Sequence, residues 1–436
     1  MRSVKQTALV ICLTALALTA ATRPADAQEH WVATWAASPQ APRFNIPRPP
    51  TPAATPQAQG NPAPAFPAPP AINDLTVRMV ARSSIGGRRV RIQLSNAFGT
   101  APLKVGSAHI ALRDKGSAIV AGSDRALTFS GRSSFAIPPA AEALSDAVDL
   151  DVPKLSDLLI SVYVPEEVAA PTMHLTGLHT TYISKSGDFT GAPSIAELST
   201  TQTWYWLSSV DVLAPAEDSL IVAFGDSITD GATSTADANM SWPSQLAERL
   251  QAIDATAGLA IVNQGISGNR LLHDGAGISA LARFDRDVLS QPGVKWVIVL
   301  EGINDIGVGT QAGAAAADAV TADDLIAAHK QMIERAHVHG IKAVGATLTP
   351  YEGARYYSED GEKLRQAVNQ WIRTSKAYDA VIDFDAVTRD PDNPKQIRPM
   401  YNIRDHLHPN DLGYRLMAEA VDLSMFVAKP APADSR

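Results

Sequence analysis

Four short stretches of this chain hold residue types that together could carry out acyl chemistry. "IVAFGDSITDG" (221–231) breaks from an apolar run into Gly225, Asp226 and Ser227. "NQGISGNR" (263–270) contains Gly268, "EGIND" (301–305) contains Asn304, and "RDHLHPND" (404–411) contains Asp405, His406 and His408. A serine hydroxyl is a weak nucleophile until a base removes its proton. An imidazole titrates near neutrality, so His408 suits that task and can return the proton to a leaving group. Asp405, three residues earlier, is close enough through a turn to hold the imidazole tautomer. The amides of Ser227 and Gly268 and the side-chain amide of Asn304 could then surround a developing oxyanion, where one donor is typically worth about 2.7–4 kcal/mol. Alone, a Gly-Asp-Ser cluster is ordinary punctuation that caps the next helix. The weight comes from four such stretches in order.

What must position them is a parallel sheet. Continuous apolar runs at 219–225, 259–266, 294–302, 341–350 and 380–387 read as five strands buried on both faces. Helical periods near 242–255, 278–289, 322–339, 360–375 and 410–426 separate or follow them, with Thr321 a plausible N-cap and Gly340 just past a helix end. Alternating strands and helices with right-handed crossovers give an α/β fold, a three-layer α/β/α sandwich. In such a sheet ligands bind beyond the carboxyl ends of the strands, and each of the four stretches follows a strand end.

"GDSITDG", "NQGISGNR", "GIND" and "DHLHP" resemble, in order, the four sequence blocks of the SGNH, or GDSL, hydrolase family. The resemblance covers residues 216–428. It implies a flavodoxin-like five-stranded parallel sheet and a serine ester hydrolase that needs no cofactor. It also implies Ser227 as nucleophile, Asp405 and His408 as its partners, and Ser227, Gly268 and Asn304 as the oxyanion hole. The arrangement with a preceding β-domain and "WVATWAASP" near the start resembles, more loosely, an exported bacterial subgroup of that family. Asp226, Arg270 and His273 stand beside the blocks as candidate substrate contacts. Asp226 equally suits a turn hydrogen bond, and His273, with Asp274, an ordinary loop. His406 and His408 form an H-x-H pair, but no further ligands accompany them, so no metal site is expected. No G-x-S-x-G surrounds Ser227, so the nucleophile elbow of α/β-hydrolases is not indicated.

The remainder of the 436 residues is organised differently. Residues 1–27 read as a signal peptide: Arg2 and Lys5 precede the apolar "ALVICLTALALTA", and "ADA" marks cleavage after Ala27. That run falls short of the roughly 18–20 residues of a bilayer span. The protein is therefore expected to be secreted or periplasmic, without a transmembrane segment. Cys12, the only cysteine, lies inside the signal, which leaves the mature chain no disulfide or thiolate site. Residues 28–70 hold a short strand with Trp31 and Trp35, then a proline-rich stretch that can be neither helix nor central strand. Residues 71–215 are short period-two runs separated by Gly, Pro, Asp and Ser, an all-β sandwich. Within it, His174 and His179 read as surface or packing residues, and "WYW" (204–206) as sandwich core or a sugar-stacking platform. A hydrolase domain over 216–428 follows after only a short join, which predicts a docked β-domain. Residues 429–436 form a tail.

With 45% hydrophobic and 19% charged residues the chain can bury a substantial core, and a formal charge of −8 argues against a nucleic-acid partner. The expected partner is a small-molecule or carbohydrate ester: a short-chain acyl or acetyl ester, acetylated carbohydrates included. Three other readings stay open on the sequence: lipase or lysophospholipase activity, acyl transfer from the same acyl-enzyme, and an inactive carbohydrate-binding relative.

Overall fold

The structure is a computed structural model and describes residues 30–42 and 72–427. The expected signal peptide with Cys12, most of the proline-rich stretch and the tail lie outside the described residues.

Five strands form the parallel sheet in the order Leu259–Gly265, Ser219–Gly225, Val294–Leu300, Lys342–Ala346, Ala380–Ile382. All seven residues of the second strand in this order, SLIVAFG, are buried, because helices cover both faces. Trp242, Leu246 and Leu250 of the Trp242–Gln251 helix are buried in the shared core, as are Leu325, Met332 and Ile333 of the Ala322–Val338 helix. Thr321 caps the latter helix in a reciprocal pair with Asp324, and Gly340 beyond its end has a left-handed φ of 68°.

Several elements are shorter than the sequence suggests, among them the fourth strand, which ends at Ala346, and the first long helix, which ends at Gln251. The fifth strand stops at Ile382 because the Asp383 carboxylate accepts from Thr347, Arg373 and the Ala386 amide, opening the Phe384–Thr388 helix instead. The last helix, Asp411–Glu419, ends before a 3-10 turn at Leu423–Phe426.

The preceding region is antiparallel. One sheet has five strands, with Trp31–Ala36 at its edge beside Leu207–Leu213, and the other has six, with Leu75–Arg82 and Asp157–Val164 at its centre. Val77, Met79 and Ala81 point into the core while Arg78 and Val80 point outward, the period of two expected of a pleated strand. Trp204, Tyr205 and Trp206 are buried, so this triplet is core. The region is docked on the parallel sheet. Ala33 N–H donates to Pro292 O (3.1 Å), Ser38 Oγ to Gln264 Oε1 (2.6 Å), and Ser84 N–H to Thr34 O (2.9 Å) behind that contact. His30 Nε2 meets Asp218 O at 2.8 Å across the short join.

Candidate active site

The Ser219–Gly225 strand has to end in glycine. A Cβ on Gly225 would collide with Thr229 and with the Leu300 carbonyl. Asp226 then accepts from the Ile228 amide (2.9 Å) and opens a single helical turn, Ser227–Asp230, which Gly231 closes with φ 96°. One turn carries little macrodipole, so the Ser227 amide acts simply as a hydrogen-bond donor.

Ser227 is 5% exposed, and its Oγ lies 2.8 Å from His408 Nε2. On the other side of the ring, Nδ1 is 2.6 Å from Asp405 Oδ2. The second Asp405 oxygen accepts from the amides of Leu407 (3.0 Å) and His408 (2.9 Å). With Nδ1–H donating to the carboxylate, Nε2 keeps a lone pair for the serine proton. Burial works against the Asp405 charge, but the His408 ring and the two amides outweigh it and bring its pKa down to about 2. Arg404 and His406 both take left-handed φ (75° and 60°), which turns the loop sharply enough for Asp405 and His408 to meet. The His406 ring packs on Gly353.

The three candidate oxyanion donors are held from beneath. Gly268 has φ 81°, and its amide, like that of Ser227, donates to no acceptor among the described residues. Asn304 donates one amide hydrogen to Asn269 O (2.8 Å), while its Oδ1 accepts from Tyr356 Oη (3.1 Å). The remaining Asn304 hydrogen is thereby given a fixed direction. Asp305 ties the Gly268 loop to the Asn304 loop, accepting from the amides of Leu271 (2.5 Å) and Leu272 (3.0 Å).

Under this edge lies Arg283, a residue the sequence reading passed over. Its guanidinium donates to Gly225 O (2.9 Å), Gln264 O (2.7 Å) and Glu301 (3.3 Å), at the ends of three neighbouring strands, and also to Asp287 and Asn269. A signal was present: Arg283 shares the buried face of Ala280, Phe284 and Val288. Burial pushes the neighbouring Asp226 and Glu301 carboxyls up.

The other candidate contacts fare differently. Asp226 is fully buried and one of its oxygens accepts from the Ile228 amide, which favours the turn role over a substrate contact. Arg270 pairs with Asp318 (2.6 Å) and the Asp274 carbonyl, a loop contact. His273 sits 3.6 Å from Asp305, half-buried at the side of the Asn304 loop. Among the described residues no three His, Cys, Asp or Glu side chains form a metal-like cluster. A cavity lined by Trp35, His179 and Trp204 lies between the two regions, and neither Ser227 nor His408 lines it, so it is not the cleft in which the triad-like residues meet.

The three-layer α/β fold places Ser227, Gly268 and Asn304 beyond the carboxyl ends of three neighbouring strands, the edge where such sheets bind ligands. Residues 221–421 match the GDSL-like lipase/acylhydrolase family. Similar solved structures include a putative lipolytic protein of the G-D-S-L family from Desulfitobacterium hafniense, at 25% identity over 47% of this chain and 97% of that one (TM-score 0.36). A GDSL-like lipase from Bacteroides thetaiotaomicron is 21% identical over 48% and 87% (TM-score 0.36). An acetylxylan esterase from Geobacillus stearothermophilus is 21% identical over 46% and 91% (TM-score 0.36). No curated protein matches the chain.

Proposed function

We propose that this protein is an exported serine ester hydrolase acting on short-chain acyl or acetyl esters, acetylated carbohydrates among them, through an acyl-enzyme. The observation that carries the reading is the unbroken line of hydrogen bonds from Asp405 through His408 to Ser227. Ser227 Oγ attacks the ester carbonyl as its proton passes to His408 Nε2. The oxyanion lies among the Ser227 and Gly268 amides and the free Asn304 hydrogen. On collapse the alcohol leaves with the proton from His408, and a water activated by the same imidazole releases the acid. No step calls for a metal or cofactor. The hydrolase domain is taken as 216–428, and export rests on the signal-like residues 1–27 with cleavage after Ala27.

A test compares single variants of the mature chain on chromogenic esters of graded acyl length and on acetylated polysaccharide. Ser227→Ala abolishes turnover and labelling by a serine-reactive phosphonate. His408→Ala lowers kcat by several orders of magnitude, whereas His406→Ala leaves kcat within about tenfold. Full activity in Ser227→Ala, or a reversed ranking of the two histidines, rules the mechanism out.

A further inference from the structure

His174 belongs to the antiparallel region, in the two-residue strand Met173–His174, yet its ring reaches the turn that carries Ser227. Its Nε2 lies 2.9 Å from Asp230 Oδ1 and its Nδ1 2.9 Å from the Ser38 carbonyl. The other Asp230 oxygen accepts from Ser267 twice, from the backbone amide (2.7 Å) and from Oγ (2.5 Å). Ser267 directly precedes Gly268. The line Ser38–His174–Asp230–Ser267 therefore runs from one region into the oxyanion loop of the other, and His174 and Asp230 are both buried.

We infer that His174 is a positioning residue: it fixes Asp230, which fixes Ser267 and with it the direction of the Gly268 amide. This rests on the reading of Gly268 as an oxyanion donor. Both ring nitrogens of His174 face acceptors, a carbonyl and a carboxylate, so both carry hydrogens and the ring is an imidazolium paired with Asp230. Burial opposes that charge, but the Asp230 carboxylate and the Ser38 carbonyl hold it above the usual imidazole range, against the nearby Arg283. On the other side of Gly268, the Asn269 carbonyl accepts from Asn304, and the Asn269 side chain donates to Ile278 O and accepts from Arg283, so Ser267 is the tie that leads to the antiparallel region. Asn269 N–H returns to Ile266 O, and Asp305 holds only the far end at Leu271 and Leu272. Gly268, at φ 81°, has no side chain with which to anchor itself. A donor must stand within hydrogen-bond reach of the oxyanion rather than of the ground-state carbonyl, and a misplacement of about 1 Å can cost about a hundredfold.

The test uses the full mature chain with a chromogenic acetate ester, and an aryl boronic acid as the probe that forms a tetrahedral serine adduct. His174→Ala and Asp230→Ala each lower kcat about 10- to 100-fold with KM within about twofold, and boronate affinity falls by the same factor. The double variant is no worse than Asp230→Ala alone, because both act through one line. Asp230→Asn restores kcat to within about threefold of wild type, since its amide oxygen serves Ser267 and its NH2 donates to a neutral His174. If Asp230→Ala does not fold, Ser267→Ala, which loses only the hydroxyl, carries the test with a loss of about three- to tenfold in kcat. Wild-type kcat in His174→Ala, a loss confined to KM, or no rescue by Asp230→Asn overturns the proposal. An inactive Ser227→Ala beside a fully active His174→Ala removes this inference alone, whereas an active Ser227→Ala removes the hydrolase reading beneath it.

Discussion

Arg78 of the antiparallel region and Arg283 of the parallel one are both completely buried, and they keep different company. Arg78, on the outer face of the six-stranded antiparallel sheet, donates to Ser161 Oγ and to the carbonyls of Ser117, Phe189, Thr190 and Ala192. All these partners are neutral, and burial pushes the guanidinium down to about 10. Arg283, beneath the parallel sheet's carboxyl edge, combines strand-end carbonyls with the Asp287 and Glu301 carboxylates. A cation among carbonyls fastens loops to a sheet. A cation among carboxylates and strand ends fixes the relative positions of three loops that must meet. The antiparallel region thus uses its buried charge for closure, and the parallel region for geometry.

The largest expected effect falls on the geometry side. Asp405→Asn leaves the loop in place but favours the wrong imidazole tautomer, and kcat drops about 10⁴-fold, measured on a chromogenic acetate. The same variant tests linkage. The folded pKa of Asp405 is lowered, so its contribution to stability is complete above the unfolded carboxylate range and disappears as pH falls from about 4 toward about 2. The gap in Tm between wild type and Asp405→Asn should therefore close over that window; a gap that widens with acid contradicts the assignment.

Next comes the arginine pair itself. Arg283→Met leaves buried Glu301 and the strand-end carbonyls without their donor, while Asp287 keeps Arg286, and costs about 3–5 kcal/mol in urea unfolding, with a fall in kcat. Arg78→Met leaves acceptors under a surface loop, costs about 1–3 kcal/mol, and leaves kcat unchanged. Equal losses of kcat in the two variants would erase the distinction between the regions.

The smallest effect sharpens it. Tyr356→Phe removes only the hydroxyl that orients Asn304, so kcat falls several-fold, by under about tenfold, at constant KM. A change in KM instead would place Tyr356 against substrate rather than behind the amide.

The sequence carried the parallel sheet because its strands are continuous apolar runs, and it pointed to Ser227, Gly268 and Asn304 because each closely follows a strand end; Asp405 and His408 come well after Ile382, past the Phe384–Thr388 helix. It carried the deeper layer poorly. His174 finds its partners far away in the chain, and no local pattern announces such a pairing; Arg283 has Asp287 four residues on, but its contact with Gly225 is just as invisible locally. His174 looked like a packing residue because its acceptor, Asp230, belongs to another fold element altogether. Arg283 is marked only by the apolar stripe of Ala280, Phe284 and Val288 beside it, which says that the face is buried but not what the guanidinium meets. The fifth strand was read too long because Asp383, an interruption in an apolar run, proved to be a helix cap.

The Trp31–Ala36 strand has a consequence in time. It emerges well before its sheet partner, Leu207–Leu213, and Ser38 just beyond it waits for Gln264, 226 residues later. Loop-closure entropy grows only as the logarithm of such a separation, so the native state is barely penalised. The rate is another matter, because non-local pairing is slow and leaves unpaired edges exposed meanwhile. Until that closure the tryptophans of the first strand stay open to other chains, and refolding yield should fall with protein concentration even where equilibrium stability is ample.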